Sequence, residues 1–295
     1  MKSLQALFCP IGILTLNNPY QNLLNKGARR EFESDFLLHL IMAIIIITLL
    51  IILVAYFTLR KRNKHKPSEE AYKAILSEHV EYYQKLDNTG KIRFEKLVKE
   101  FLEYTHIEGV GVEITELDRV LVASGAVIPI FGFPSWRYRN LTNVILYPDT
   151  FDREYQFEGG DRNILGMVGS GYMNGQMLLS KAALLKGFSK PSGVENTAIH
   201  EFVHLLDMSD GATDGIPQNL MKHEYTIPWL KMIHQEMQHI EAGNSDINPY
   251  ALTNEAEFLA VASEYFFQKP EELKHHHPEI YEQLSRIFGQ TPSNT

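Results

Sequence analysis

The chain has 295 residues, 44% of them hydrophobic and 22% charged, which suits one sizeable folded domain with attachments. A formal net charge of -8 argues against nucleic acid as a general electrostatic partner, so no direct nucleic-acid binding is expected. Its single cysteine, Cys9, excludes an internal disulfide framework and any all-thiolate metal site.

Residues 1–35 carry no clear period or motif. From 36 to 59 the chain is almost wholly apolar, with His39 its only readily ionised residue. Such a run is long enough, as a helix, to cross a hydrocarbon core of about 30 Å, and helix is the form that satisfies its own backbone in lipid. No small-residue cleavage site follows it, which argues against a removed leader. Met42, within this run and followed directly by further apolar residues, is a candidate start of translation; an intact mass that includes earlier residues would end that reading. Arg60, Lys61, Arg62, Lys64 and Lys66 follow the span, whereas Lys26, Arg29 and Arg30 are mixed with acids before it. This bias predicts a single-pass protein whose C-terminal part faces the cytoplasm.

After a basic linker at 60–67, residues 68–295 read as one α+β domain, mostly helical with a small sheet. Helices are expected over 68–86 and 92–105, separated by a turn at Asp87-Asn88-Thr89-Gly90. Residues 109–115 are a short strand candidate, 117–130 a buried helix, and 143–147 a buried strand ended by Pro148. The glycine-rich stretch 159–175 lacks the strand and helix context of a dinucleotide site and reads as turns between strands.

The strongest chemical signal is His200-Glu201-Phe202-Val203-His204. Residues four apart share a helix face, so both imidazoles can reach one ion, while Glu201, about 100° round the helix, flanks it. Zinc there would acidify a water to a pKa near ~7, with Glu201 as candidate general base. The helix is supported by a capping-box pattern, Ser192 followed by Glu195, by apolar residues at helical spacing and by a stop at Asp210-Gly211. A catalytic zinc needs a third protein ligand and one open position. Asp210 is a poor candidate, because the metzincin pattern needs a glycine where Asp207 stands. Glu257, on a helix running from Asn254 to a stop near Pro270, is a better one, with Ala260, Val261 and Glu264 on its face. Spacing leaves other readings open: Glu257 as a cap partner of Asn254 or a solvated first-turn acid, or Glu255 as the ligand. Asp207 can hydrogen-bond a ligand imidazole or cap its helix end, and Glu264 can orient His200 or His204 or stand exposed. His223, His234 and His239 read as surface residues, and the adjacent His275, His276 and His277 cannot share one helix face.

The segment 193–208 around the two histidines, the later Asp214-Gly215-Ile216-Pro217, the stretch 250–267 and Asn143-Val144-Ile145-Leu146-Tyr147-Pro148 together resemble the Mlc titration factor A family of zinc peptidases. The resemblance covers nearly everything after the linker. It implies a zincin-like fold of the gluzincin type, one Zn2+ held by His200, His204 and Glu257, and Glu201 as the base. It implies a site similar to that of anthrax lethal factor, in which a tyrosine ahead of the glutamate ligand steadies the transition state; Tyr250 occupies that relative position. The family's founding member has aminopeptidase activity and binds the repressor Mlc, although the best-known members are soluble and have no spanning segment. The expectation is a membrane-anchored zinc metallopeptidase acting on a peptide or protein substrate. Its rival is a regulatory module that sequesters a transcriptional regulator at the membrane without proteolysis.

Overall fold

The computed structural model of the protein describes residues 39–56, 69–133, 135–152, 164–168, 175–189, 193–221 and 225–292. The expectations placed on residues 1–38, on the linker 60–67, on Ser192 and on His223 lie outside the described residues.

The chain divides into two units, 1–66 and 67–295. In the first, helix α1 (His39–Tyr56) has a mean hydropathy of 2.8 and is long and apolar enough to cross a membrane. Thr48 donates its hydroxyl proton to the carbonyls of Ile44 and Ile45, so this polar group is satisfied within the helix itself.

The second unit is mostly helical around a small mixed sheet. In chain order it contains α2 (Glu69–His79), α3 (Glu81–Lys85), α4 (Asn88–Tyr104), β1 (His106–Gly109), α5 (Glu116–Ile130), β2 (Asn143–Tyr147), β3 (Gly166–Val168) and β4 (Gln176–Ser180). It continues with α6 (Lys181–Gly187), α7 (Thr197–Asp207), α8 (Thr226–Glu241), α9 (Glu255–Gln268), α10 (Pro270–His276) and α11 (Pro278–Phe288). The strand order is β1-β2-β4-β3: the first three strands are parallel, and β3 lies antiparallel to β4 at one edge.

Several local expectations are corrected. The first helix is two, broken at Val80, whose extended backbone (φ -112°, ψ 94°) ends the helical run. The Asp87–Gly90 turn is instead the start of α4, because the Asp87 carboxylate accepts the Gly90 amide proton at 2.7 Å and caps it. The first strand ends at Gly109 rather than starting there. A Cβ at 109 would lie 2.2 Å from the Val112 carbonyl oxygen, so the chain turns back sharply at that point. Within 159–175, Ile164 bridges Phe151 and Gly166–Val168 form β3; residues 159–163 and 169–174 lie outside the described residues.

Helix α5 forms the buried axis, as its nearly continuous apolar sequence predicts. Thr115 and Asp118 close its first turn reciprocally, and the fully buried Asp118 carboxylate is paired with Lys181 at 2.8 Å. Every residue from Val120 to Ile130 is buried. Gly125 lies against Ala198 of α7, where a Cβ would come within 2.7 Å of the alanine methyl. The backbones of α5 and α7 therefore touch, and this contact sets the height of α7 above the sheet. Phe202 of α7 packs between Phe101 and Tyr138, with ring centroids 5.6 and 5.1 Å away. With one face of α7 locked in this way, its opposite face is held towards α9.

Candidate metal centre

Two capped helices bring the site together. Helix α7 starts at Thr197 because the Asn196 side chain accepts the Ile199 amide proton at 3.2 Å. Of the expected capping box only Glu195 is described, and it pairs with Lys186 at 2.8 Å; the cap of α7 lies at Asn196. Tertiary bonds select it. Asn196 Nδ2 donates to the Gly187 carbonyl at 3.0 Å, and its backbone N–H donates to Glu264. At the far end α7 passes into a 3-10 turn, Met208–Asp210, and stops at left-handed Gly211 (φ 104°), as the Asp210-Gly211 pair predicts.

Helix α9 starts after Asn254, whose side chain accepts the Glu257 amide proton at 2.9 Å. That bond uses only the Glu257 backbone, so the capping reading and the ligand reading of Glu257 are compatible. Glu255 turns the other way, to His234 of α8 at 2.8 Å. Helix α9 packs against α7, and Ala260, one turn on from Glu257, is a buried small residue.

His200 Nε2 lies 3.0 Å from Glu257 Oε2, His204 Nε2 lies 3.3 Å from the same oxygen, and the two imidazole nitrogens are 3.1 Å apart. These three residues form a group whose ligand atoms lie within 4.8 Å of one another and could hold a metal ion. Glu264 is buried, not exposed, and its Oε1 lies 2.8 Å from His200 Nδ1. With that nitrogen donating to the carboxylate, the neutral His200 ring presents a lone pair from Nε2. Two imidazole nitrogens and a carboxylate oxygen directed at one point form a donor set that fits a divalent cation. Electrostatics agrees. Burial alone would lower His200, but the Glu257 and Glu264 carboxylates overcome it and raise the imidazole well above its usual range. Burial alone would raise Glu257, while its bonds to His200 and His204 hold it below the usual carboxylate range. The pocket calls for positive charge between the rings.

Glu201 is buried, which raises its carboxyl above the usual range, with His200 and His204 acting in the opposite sense. It abuts β3: a Cβ at Gly166 would lie 2.5 Å from Glu201 Oε1. Asp207 takes neither role foreseen for it. Its Oδ2 accepts the Gly215 amide proton at 2.9 Å, tying down the loop after α7, and burial pushes its carboxyl up to about 6. Tyr250 stands half-exposed on a 3-10 turn, Pro249–Leu252, with its ring centroid 6.1 Å from that of His200. An open recess of about 340 Å³ unites His200, Glu201, His204, Tyr250 and Glu257, with Gly166, Met167, Val168, Met208 and Thr213 also in its wall. Those five carry no sequence signal, since they reach the site only through the sheet and the loop after α7. Of the histidines read as surface residues, His234 and His239 are exposed. His277, of the run His275-His276-His277, is half-buried between Glu236 and Asp246, at 3.2 and 2.6 Å.

A helix pair offering two imidazoles and a carboxylate beside a buried glutamate is a candidate hydrolytic metal centre. The chain belongs to the glucose-regulated metallo-peptidase M90 family, whose profile matches residues 56–289. It is 27% identical over 267 residues to the uncharacterized protein slr2042 of Synechocystis sp. (strain ATCC 27184 / PCC 6803 / Kazusa), a match covering 84% of this chain and 97% of that one. It is 30% identical over 220 residues to the Mlc titration factor A proteins of Escherichia fergusonii and Cronobacter sakazakii, in each case covering 70% of this chain and 82% of the relative. These findings bear out the resemblance to the Mlc titration factor A family. The family implies a metal, and the cluster of two histidines and a glutamate is where the chain could hold it.

Proposed function

We propose that the protein is a membrane-anchored zinc peptidase of the gluzincin type, with His200, His204 and Glu257 as ligands and Glu201 as general base. The observation that carries this reading is the convergence of His200 Nε2, His204 Nε2 and Glu257 Oε2 within 3.0–3.3 Å of one another. When bound, zinc supplies the positive charge that polarises a scissile carbonyl and acidifies water. Glu201 takes the proton of the attacking water and delivers it to the departing amine. Tyr250 donates its hydroxyl hydrogen bond to the oxygen that gains charge as the carbonyl becomes tetrahedral. Glu264 is a positioning residue: it fixes the His200 tautomer and ties that ring to the start of α7. The substrate is a peptide or protein, and β3 supports an extended one. It is an edge strand in the wall of the recess, where a peptide backbone can pair with it. Aminopeptidase action is the form that the family resemblance favours. The basic residues after α1 support a cytoplasmic catalytic domain; a reporter fused after Thr295 that was active only outside the cell would reverse this.

The test is zinc content and cleavage of a peptide library, compared between wild type, Glu201→Gln and Glu257→Ala. Glu201→Gln should keep zinc and lose cleavage, and Glu257→Ala should lose zinc. Full cleavage by Glu201→Gln, or unchanged zinc in Glu257→Ala, defeats the assignment. The name borne by the 30% identical relatives favours a second reading, capture of a regulator such as Mlc. Partner binding that survives loss of zinc, without cleavage of any peptide, would establish it.

A further inference from the structure

Next to the metal recess lies a larger one of about 600 Å³, and the two share Met208 and Thr213 in their walls. The two recesses therefore adjoin at those side chains. Among the described residues, the only charged side chains lining this second recess are Arg137 and Arg139. That is unexpected in a protein of net charge -8. The two arginines differ. Arg137 is engaged, with Glu100 3.4 Å away and the Tyr104 ring centroid 4.8 Å from its guanidinium carbon. Arg139 is exposed and makes no hydrogen bond or ion pair with any described residue. Asp210, which stands between the lining residues Ser209 and Gly211, is turned to the backbone: its two oxygens accept from the amides of Ala212 and Gln218 at 3.0 and 2.8 Å. An unpaired guanidinium with five donors, set in a recess that no carboxylate lines among the described residues, is suited to a carboxylate brought by the ligand.

We propose that the second recess is a substrate subsite for a carboxylate, read by Arg139. This rests on the peptidase reading above and names the substrate class: peptides with an acidic side chain, or a free C-terminus, a few residues from the scissile bond. The carboxylate displaces water from the guanidinium fork and makes charge-assisted hydrogen bonds, which fix the register of the chain along the cleft. Because the site is open, the gain is modest and sensitive to salt.

The experiment uses the full-length, zinc-loaded protein in detergent, with Glu201→Gln to hold peptides uncut. Binding is read by fluorescence anisotropy with matched peptides that differ only as Glu against Gln at successive positions, each with a free or an amidated C-terminus. One Glu position, or the free C-terminus, should bind roughly threefold to tenfold more tightly than its neutral partner. The advantage should shrink as sodium chloride is added, persist in part in Arg139→Lys and fall to about one in Arg139→Gln. An advantage that follows the Glu assigns the subsite to a side chain, and one that follows amidation assigns it to the chain end. Equal binding of all pairs, or an advantage that survives Arg139→Gln, overturns the proposal. Absence of cleavage by the wild type would defeat the peptidase reading, while the binding comparison would still decide the recess.

Discussion

Replacing Gly166 with alanine tests where the base stands. An added Cβ would lie 2.5, 2.6 and 2.8 Å from Oε1, Cγ and Cδ of Glu201, and ordinary contact begins at 3.4 Å. The shortfall is 0.9 Å, and all three close atoms belong to the proposed base. Glu201 is buried and its helix is locked against α5, so its backbone cannot retreat; the carboxylate must swing or β3 must move outward. Misplacing a reacting group by about 1 Å costs on the order of 10²-fold in rate, or about 2.7 kcal/mol. Gly166→Ala should therefore lower kcat about a hundredfold while zinc stoichiometry and melting temperature stay near wild type. The assay pairs steady-state cleavage of a quenched-fluorescent peptide with zinc analysis by atomic absorption. A folded, zinc-loaded Gly166→Ala protein with wild-type kcat would refute the argument, since the carboxylate displaced by the methyl could not then be the base.

Three other predictions follow from the same contacts. Glu264→Gln should weaken zinc binding by about 10–100-fold, read by chelator competition, with Glu264→Asp recovering part of it; equal affinity in all three would remove Glu264 as a positioning residue. Gly125→Ala forces a methyl to within 2.7 Å of the Ala198 methyl and should cost about 1–3 kcal/mol in urea unfolding. Burial alone would lower His277, but Glu236 and Asp246 raise it above its ordinary 6.5, so its contribution to stability is complete below 6.5 and is lost as pH rises through the raised value. Asp246, held down at about 2 against burial by His277, Tyr265 and His276, contributes above its ordinary 3.8 and loses that as pH falls through about 2. The cluster is therefore at full strength between 3.8 and 6.5. In His277→Gln the decline in urea midpoint above pH 6.5 should flatten, and an unchanged profile would count against the assignment.

Local chemistry accounts for what the sequence made legible. The His200 and His204 spacing, the apolar run of α5, the Asn143–Tyr147 strand and the Asp210-Gly211 stop are each decided within a few residues, so periodicity reveals them. Other features depend on partners distant in sequence. Asn196 rather than Ser192 caps α7 because Gly187 and Glu264, from α6 and α9, bond to it. Glu257 rather than Glu255 faces the rings because His234 of α8 claims Glu255. Gly166 reads in sequence as one glycine among many. Its place opposite Glu201 follows from the pairing of β3 with β4, which no local pattern encodes.

Cleavage and capture make different demands on the same fold, and Glu201 separates them. Capture of a regulator needs a rigid outer surface, which the packing of α5, α7 and α9 would supply even if position 201 were leucine. Burying a carboxylate against β3 costs free energy through desolvation, and the raised Glu201 pKa is the sign of that cost. A cost of that kind is retained where the group does chemistry, and here it sits within one helical turn of two imidazoles that share a carboxylate with α9. A capture surface gives no reason to keep it. Glu201→Leu therefore discriminates between the two readings: if capture is the function, the variant should be at least as stable and bind its regulator undiminished. If peptide hydrolysis is the function, greater stability in urea should come together with loss of turnover.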